Sequence, residues 1–433
     1  MKQLHADRPA QHSGDLAVRP SSQKYRPSID GMRAIAIVSV LVFHLSPHWL
    51  RGGFAGVDIF FVISGFLITT VIVHDDTHGR FSFAGFYQRR IARLFPSMFL
   101  VVILTFIASI LIYDPRVVAD NGPHMAEAVL SVANIFNVHE GGGYFGVSAD
   151  VHPFLHFWSL SVEEQFYVFF PATLLLLRRF APKRVALALT LLFIASLAAC
   201  IVITRRDHDF AFYMLPTRAW EMTAGALLAT GALSRLAGLA QPWRSALSWS
   251  GLALVVGSLV WIDARNFPGA VALFPVCGAV ALMAGSGSDQ PDPVQRLLAW
   301  SPLVYLGRIS YSLYLWHLPV FCLVDYRLFT SPESLRLALK ISLTVLATLA
   351  TSYLVENPLR RYFNRPQNQR AAFVFALVMI GLIVPVGITL RVLDWPEPKM
   401  FMVKNGGLAF NKGASKGSIA LMGDSQALSL IHI

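Results

Sequence analysis

Stretches of apolar residues long enough to cross a lipid bilayer recur along this chain. A membrane-spanning helix needs ~20 mostly apolar residues, and a helix satisfies its own backbone hydrogen bonds inside hydrocarbon. The predicted spans are 31–48, 54–74, 91–113, 156–177, 184–204, 217–233, 246–263, 268–285, 301–324, 335–356 and 371–392. These eleven segments predict an all-α, polytopic integral membrane protein.

The composition agrees with a membrane protein. Of the 433 residues, 55% are hydrophobic and only 14% are charged, whereas about 25% of the residues of a soluble protein are charged. The formal net charge of +11 would suggest a nucleic-acid partner for a soluble chain. Because the positive residues lie mainly between the apolar spans, we expect a lipid bilayer and no nucleic acid as partner.

The distribution of Lys and Arg predicts the orientation, since loops on the cytoplasmic side are enriched in both. With the N-terminus inside, the segments on the cytoplasmic side contain 22 Lys and Arg, against 10 in the outer loops and remaining spans up to Arg391. An odd number of spans then places the C-terminus outside. The predicted location is the inner membrane of a bacterium.

Polar segments flank the membrane region. Residues 1–27 are expected to form a disordered cytoplasmic tail, and 396–417 a linker outside the membrane. In 418–433, an apolar run followed by Gly-Asp-Ser predicts a strand that brings Ser425 to a turn. Because this resembles the start of a domain, we expect the domain to be truncated. Residues 428–433 (LSLIHI) match one reading frame of a sequencing adapter, which indicates an assembly artefact.

Arg33 and His44 share one face of the first span. Eleven residues separate them, which corresponds to three helical turns plus roughly 20° and a rise of roughly 16 Å. An ionisable side chain inside the bilayer costs at least ~2.5 kcal/mol unless it is paired or hydrated. A functional histidine would explain this cost, and a histidine that only bonds neighbouring helices remains the alternative.

Further ionisable residues are predicted near the outer half of the membrane. They are Asp58 in the second span, His156, Glu163 and Glu164 in the fourth and His317 in the ninth, alongside His44. Histidine with nearby carboxylates suits general acid–base or nucleophilic catalysis. Structural pairing of the two glutamates between helices remains an alternative.

Arginines gather at the opposite side. Arg90 and Arg93 are three residues apart at the predicted entrance of the third span, and Arg33 enters the first span from the same side. Guanidinium groups bind phosphate through paired hydrogen bonds, so a phosphate-bearing donor on the cytoplasmic side would fit. For the arginines alone, ordinary anchoring at the membrane surface is the favoured alternative.

The outer segment 114–155 is predicted to be a loop. It contains His124, His139 and His152, but no pair has the spacing of metal ligands on a helix or strand. We therefore expect plain loop residues and no metal.

Six motifs resemble those of the membrane-bound acyltransferase 3 family, whose members are O-acyltransferases of bacterial surface glycans. The resemblance runs from about Tyr25 to Arg361. The motifs are YRPSIDGMRAIAIVSVLVFH, GGFAGVDIFFVISGFLI, FYQRRIARLFP, FWSLSVEEQFY, GRISYSLYLWHLP and ENPLRR. The resemblance implies a membrane domain of about ten helices over 28–365, with the eleventh helix in 366–395.

The resemblance also implies roles for individual residues. His44 matches the family's catalytic histidine, paired with Arg33. Arg90 and Arg93 match an Arg-x-x-Arg motif expected to contact acyl-CoA. The acidic positions fall on Asp58, Glu163 and Glu164, and the histidine of a Trp-His motif falls on His317.

The C-terminal MGDSQA resembles the opening block of an SGNH hydrolase-type domain, in which Ser425 would be the nucleophile. Fusions of these two domains resemble O-antigen and peptidoglycan O-acetyltransferases. The resemblance therefore implies transfer of an acyl group, in the first instance acetyl, from cytoplasmic acetyl-CoA to a hydroxyl of a surface glycan.

Two other classes of function stay open at the level of sequence. A transporter of an acyl donor or lipid-linked sugar would also use buried histidine and carboxylate groups. A structural or signalling protein would tolerate replacement of His44, Asp58 and Glu163. No motif in the sequence identifies the acceptor, the acyl chain or the oligomeric state.

Overall fold

A computed structural model of the chain describes residues 25–139, 152–237, 239–286, 291–392, 400–403 and 407–410. Seventeen helices lie in these ranges. They are α1 Pro27–Leu45, α2 Gly56–Thr77, α3 Phe83–Ile112, α4 Pro115–Leu130, α5 Ala133–Asn137, α6 Phe157–Phe180, α7 Val185–Thr204, α8 His208–Tyr213, α9 Leu215–Ala229, α10 Ser234–Ala237, α11 Gln241–Trp261, α12 Leu273–Gly285, α13 Pro293–Leu298, α14 Ser301–Arg327, α15 Glu333–Thr351, α16 Asn357–Phe363 and α17 Gln369–Val392. A π-helical turn, Ser352–Glu356, joins α15 to α16.

The predicted all-α membrane fold is confirmed. Each of the eleven predicted spans coincides with a helix, and seven helical segments are long and apolar enough to cross a membrane. The other four correspond to α9, α11, α12 and α14, which are shorter or less apolar. The orientation of the helices in the membrane stays a prediction.

The start of the third span differs from the one predicted. The third span begins at Phe83 instead of residue 91, because Ser82 caps the helix by accepting a hydrogen bond from the Gly85 backbone N–H at 3.4 Å. Such a cap satisfies one of the free N–H groups at a helix start. Arg90 therefore lies two turns inside α3 and not at its entrance.

The segment 114–155 is not a loop throughout. Pro115–Leu130 forms helix α4, which packs against α17 where Gly122 and Gly387 bring the two backbones together. A Cβ on Gly122 would lie 2.8 Å from the Gly387 carbonyl oxygen. Polar and charged residues interrupt the apolar pattern of α4, so this pattern did not predict a helix here. Residues 140–151 lie outside the described part.

Two short strands, β1 Met400–Val403 and β2 Gly407–Phe410, pair antiparallel with Met400 opposite Phe410. They fall in the segment predicted to be a linker. The predicted tail up to residue 24 and the predicted SGNH-type segment 418–433, with Ser425, lie outside the described residues.

Glycines set the closest helix contacts, as is common in membrane helix packing. A Cβ on Gly65 of α2 would lie 1.9 Å from the Met222 carbonyl oxygen of α9, and one on Gly225 would lie 2.1 Å from the Val62 carbonyl oxygen. The α1–α14 contact is similar, since a Cβ on Gly307 would lie 1.8 Å from the Asp30 carbonyl oxygen. These contacts fix α2 and α14, which both line the cavity described below.

Gly65→Ala is therefore expected to destabilise the protein, because the new methyl group would meet the α9 backbone. Overpacking of this kind costs on the order of 1–3 kcal/mol. Gly381→Ala is the matched control, since nothing lies within 4 Å of a Cβ at Gly381 and alanine favours the helix. Thermal unfolding in detergent should show a lower midpoint for the Gly65 variant only. Equal midpoints for the two variants would contradict the tight α2–α9 contact.

Candidate active site

A cavity of about 300 Å³ lies between α1, α2, α3, α6 and α14. Along α2 its lining runs from Val57 to Val71, or roughly 21 Å of helix at 1.5 Å per residue. Its charged lining residues are Arg33, Arg89, Arg90, Arg93, Glu163 and Glu164. The cavity therefore combines an apolar wall with four guanidinium groups, as expected for a ligand that carries both an anionic and an apolar part.

Arg90 is held in the cavity wall by two contacts. Its Nη2 donates to Glu164 Oε1 at 2.7 Å, and its guanidinium carbon lies 3.3 Å from the centre of the Tyr167 ring. A guanidinium stacked on an aromatic face gains electrostatic attraction, more so when it is desolvated. Arg90 thus joins α3 to α6 and has its charge balanced within the fold.

Glu163 continues this network. Its Oε1 accepts hydrogen bonds from the Ser64 hydroxyl and the Tyr167 hydroxyl, so α2 and α6 are linked through one carboxylate. The two glutamates were expected among the histidines of the outer half. The structure places them instead in the wall of the arginine cavity, because Arg90 reaches deeper into the bundle than its predicted position at the helix entrance.

The other arginines differ in their partners. Arg33 Nη1 lies 3.3 Å from Asp30 Oδ1, one turn before it on α1. Arg93 is exposed and has no ion-pair partner among the described residues. Of the four cavity arginines, Arg93 is therefore the one whose positive charge is not balanced by a neighbouring carboxylate in the described part of the chain.

Three histidines from three helices cluster beyond the cavity. The ring centres of His44 and His317 are 5.0 Å apart, and those of His156 and His317 are 5.3 Å apart. His156 and His317 are fully buried, whereas His44 is partly exposed. His44, His156 and His317, all predicted near the outer half of the membrane, thus lie together, with His156 contributed by the start of α6.

Backbone contacts define which ring nitrogens carry hydrogen. His44 Nδ1 lies 2.9 Å from the Val40 carbonyl oxygen, and His317 Nδ1 contacts the Tyr314 carbonyl oxygen. Since a carbonyl only accepts, each Nδ1 carries the hydrogen and donates, and each Nε2 carries a lone pair when the ring is neutral. The arrangement suits a base or a nucleophile at Nε2.

Tyr314 separates the cavity from the histidines. It lines the cavity, and its ring centre is 5.2 Å from that of His317 and 5.3 Å from that of His156. Its hydroxyl donates to the His156 carbonyl oxygen at 2.9 Å and lies 2.6 Å from Ser159 Oγ. His317 follows Tyr314 by one helical turn, so the histidine cluster begins one turn beyond the end of the cavity.

Asp58 belongs neither to the cavity lining nor to the histidine cluster. It is completely buried and pairs with Arg218 Nη2 at 3.3 Å, while Arg218 Nη1 lies 3.0 Å from Glu221 Oε1. Aromatic rings surround the guanidinium, with Phe61 and Trp158 at 5.6 and 5.8 Å. This cluster joins α2 to α9 at a site that does not line the cavity, where it offsets the cost of burying each charge.

Several residues of the cavity, the histidine cluster and the ion cluster were not predicted from the sequence. Arg218 and Glu221 lie three residues apart within a predicted span, and the cost that singled out His44 should have singled out this pair as well. Tyr167, Tyr314 and Ser64 carry no such signal. Tyrosine and serine are common in membrane helices, and only the three-dimensional contacts show what they do.

In the outer segment 114–155, where no metal was expected, His124 pairs with Glu127. His124 Nδ1 lies 3.1 Å from Glu127 Oε2, and the His152 ring centre lies 4.9 Å from that of His124. Burial, and the nearby His124, lower the pKa of His152 to about 4. No group of three or more potential metal ligands occurs within the ranges that the structure describes.

Comparison with known proteins decides the family. Residues 26–390 match the profile of acyltransferase 3, described as an acyltransferase domain. The chain belongs to the acyltransferase 3 family. The match covers every helix from α1 to α16 and both groups of site residues, and it confirms the membership that the six motifs predicted.

Two relatives that match most of the chain are named as O-acetyltransferases. The chain is 29% identical over 398 residues to O-acetyltransferase OatA of Staphylococcus aureus, covering 84% of this chain and 62% of the relative. It is 28% identical over 354 residues to peptidoglycan O-acetyltransferase OatA of Listeria monocytogenes, covering 78% and 56%. The chain thus spans about three-fifths of the length of these relatives. No solved structure matches it significantly.

Arg218→Met is expected to destabilise the fold strongly, because it leaves Asp58 and Glu221 buried without a cation. Breaking a buried pair in this way costs about 3–5 kcal/mol. Glu221→Gln should cost less, since Arg218 keeps Asp58. The control is Arg265→Met, whose partner Asp263 is 3.8 Å away in an exposed pair. Equal midpoints of thermal unfolding for Arg218→Met and the control would contradict a structural role for the cluster.

Proposed function

We propose that this protein is a membrane O-acyltransferase that moves an acyl group, most simply acetyl, from cytoplasmic acyl-CoA to a hydroxyl of a cell-surface glycan. The observation that supports it best is the order of groups along α14. The arginine-bearing cavity ends at Tyr314, and His317, in contact with His44, follows one turn later. A donor with its phosphates near the arginines would point its acyl end toward the histidines.

Arg93 is the proposed primary contact for the donor phosphates. It is exposed, lines the cavity and lacks an ion-pair partner among the described residues, so its charge is available to an anion. Arg33 lies in the same cavity and would add a second contact. Arg90 acts as a positioning residue, since Glu164 and Tyr167 already occupy its guanidinium.

His44 is the proposed catalytic residue. In one route, its Nε2 takes the proton of the acceptor hydroxyl as the oxygen attacks the thioester carbonyl. The carbon–sulfur bond then breaks, and the proton passes to the leaving thiolate. In the other route, Nε2 attacks the thioester carbonyl, the carbon–sulfur bond breaks and coenzyme A leaves as the thiolate. The acceptor hydroxyl oxygen then attacks the acyl carbon on Nε2, the carbon–nitrogen bond breaks, and the hydroxyl proton passes to the thiolate. His317 would orient the His44 ring in both routes.

The named relatives suggest the acceptor. One of them is a peptidoglycan O-acetyltransferase by name, so a glycan of the bacterial cell envelope, such as peptidoglycan or O-antigen, is the proposed acceptor class. The predicted orientation would place His44 toward the outside and the arginines toward the cytoplasm. Asp58 would support this site only indirectly, through its ion cluster with Arg218. Ser425 remains the proposed nucleophile of an SGNH-type segment.

His44→Ala is expected to reduce acetyl transfer by about 10²–10⁴-fold, the usual range for loss of a general acid–base group. The protein should still insert and elute as a folded species, because His44 is partly exposed and its Nδ1 bonds the Val40 carbonyl oxygen of its own helix. Purified protein in liposomes, with radiolabelled acetyl-CoA and a glycan acceptor, provides the measurement.

The control for this variant is His48→Ala. His48 is exposed and lies in the turn that follows α1, so its loss removes a histidine near the same helix end without touching the cluster. Transfer by the His44 variant at a rate near that of the His48 variant would refute the catalytic role.

Arg93→Ala is expected to raise the KM for acetyl-CoA about 10-fold with little change in kcat, since it removes a contact that binds the donor before and during reaction. A contact of this kind contributes about 1.4 kcal/mol, which corresponds to a factor of ten. Arg361→Ala on α16 serves as control because Arg361 is exposed and does not line the cavity. The same KM in both variants would contradict the proposed donor site.

A further inference from the structure

Arg89 is a cavity residue that the proposed chemistry does not use. It lies on α3 next to Arg90 and lines the same cavity as Arg93, yet its side chain is 50% exposed. An arginine that touches both solvent and the cavity marks the mouth. Its guanidinium, like that of the exposed Arg93, is therefore among the first positive groups that an anionic ligand would meet on the way in.

Asp75 holds Arg89 from the neighbouring helix. Arg89 Nη2 donates to Asp75 Oδ2 at 3.0 Å, and Asp75 lies in the last turn of α2. The chain between these helices is short, and the Arg80 backbone N–H donates to the Asp75 carbonyl oxygen at 2.8 Å. Asp75 is therefore fixed at the end of α2 while Arg89 can turn on its long side chain.

A second ion pair, between Arg178 and Asp76, lies beside the Arg89–Asp75 pair but outside the cavity lining. Arg178 Nε donates to Asp76 Oδ2 at 2.6 Å and Arg178 Nη2 donates to Thr77 Oγ1 at 3.1 Å. Neither Arg178 nor Asp76 lines the cavity. The two pairs thus share chemistry and neighbourhood, and of their four residues only Arg89 lines the cavity.

We propose that Arg89 is a third phosphate-binding residue of the donor site, and that Asp75 competes with the donor phosphate for its guanidinium. The inference rests on the proposed function, because it takes the donor to be a coenzyme A thioester. A phosphate presents more negative charge than a carboxylate and accepts the same paired hydrogen bonds from arginine. Arg89 would exchange Asp75 for the outermost phosphate as the donor enters.

Competition predicts opposite effects on donor binding for the two residues of this pair, whereas electrostatic attraction at the surface alone would give Arg178 and Asp76 the same opposite effects. Removing Arg89 weakens donor binding, whereas removing the charge of Asp75 frees Arg89 and strengthens it. If Asp75 mattered only as part of a structural latch between α2 and α3, both changes would loosen the mouth and weaken binding together. The sign of the Asp75 effect therefore separates the two accounts.

The experiment measures binding of coenzyme A to the purified full chain in detergent by isothermal titration calorimetry. Arg89→Ala is expected to raise Kd about 10-fold and Asp75→Asn to lower it about 3-fold. Arg178→Ala and Asp76→Asn, the matched pair, are expected to leave Kd within 2-fold of the unmodified protein. Each variant is first checked for a single folded species by size-exclusion chromatography.

Two results would overturn the inference while leaving the proposed function intact. They are an Arg89→Ala variant that binds coenzyme A as tightly as Arg178→Ala, and an Asp75→Asn variant that binds more weakly than the unmodified protein. Arg89→Lys keeps the charge without the paired geometry and should give an intermediate Kd. An unmodified protein that does not bind coenzyme A would overturn the proposed donor and this inference together.

Discussion

The contact of Arg90 with Glu164 and Tyr167 is the interaction on which the cavity depends. A guanidinium two turns inside a membrane helix is costly unless a carboxylate and an aromatic face compensate it, and α6 supplies both. Through Tyr167 and Glu163 the same network reaches Ser64 on α2. Three helices are thus fixed around a space that stays open between them, with Arg93 left available for a ligand.

The fold divides the polar groups of the membrane region into three sets with different chemistry. The arginines and the two glutamates surround the cavity, the histidines lie beyond Tyr314, and Asp58, Arg218 and Glu221 form a closed ion cluster between α2 and α9. The first two sets follow one another along α14, where the cavity ends at Tyr314 and His317 comes one turn later. The third holds α2 against α9 and so supports the cavity wall without lining it.

Much of this could be predicted from the sequence. All eleven spans are helices, and the Arg33–His44 spacing correctly relates the arginine end of α1 to the histidine end. The partners of Glu164 and Asp58 could not be predicted, because pairs between helices far apart in the chain form by packing and leave no periodic signal. The start of α3 depended on a serine cap, a local feature that an apolar window does not detect.

The central claim is that the acyl end of the donor reaches the histidine cluster while its phosphates remain at the arginines. A coenzyme A analogue with a photoreactive group on its acyl chain tests this most directly, with mapping of the labelled residues by mass spectrometry and excess coenzyme A as competitor. The account predicts labelling of α14 between Tyr314 and His317, or of α1 near His44. Competable labelling confined to α3 around Arg90 and Arg93, or no competable labelling, would contradict it.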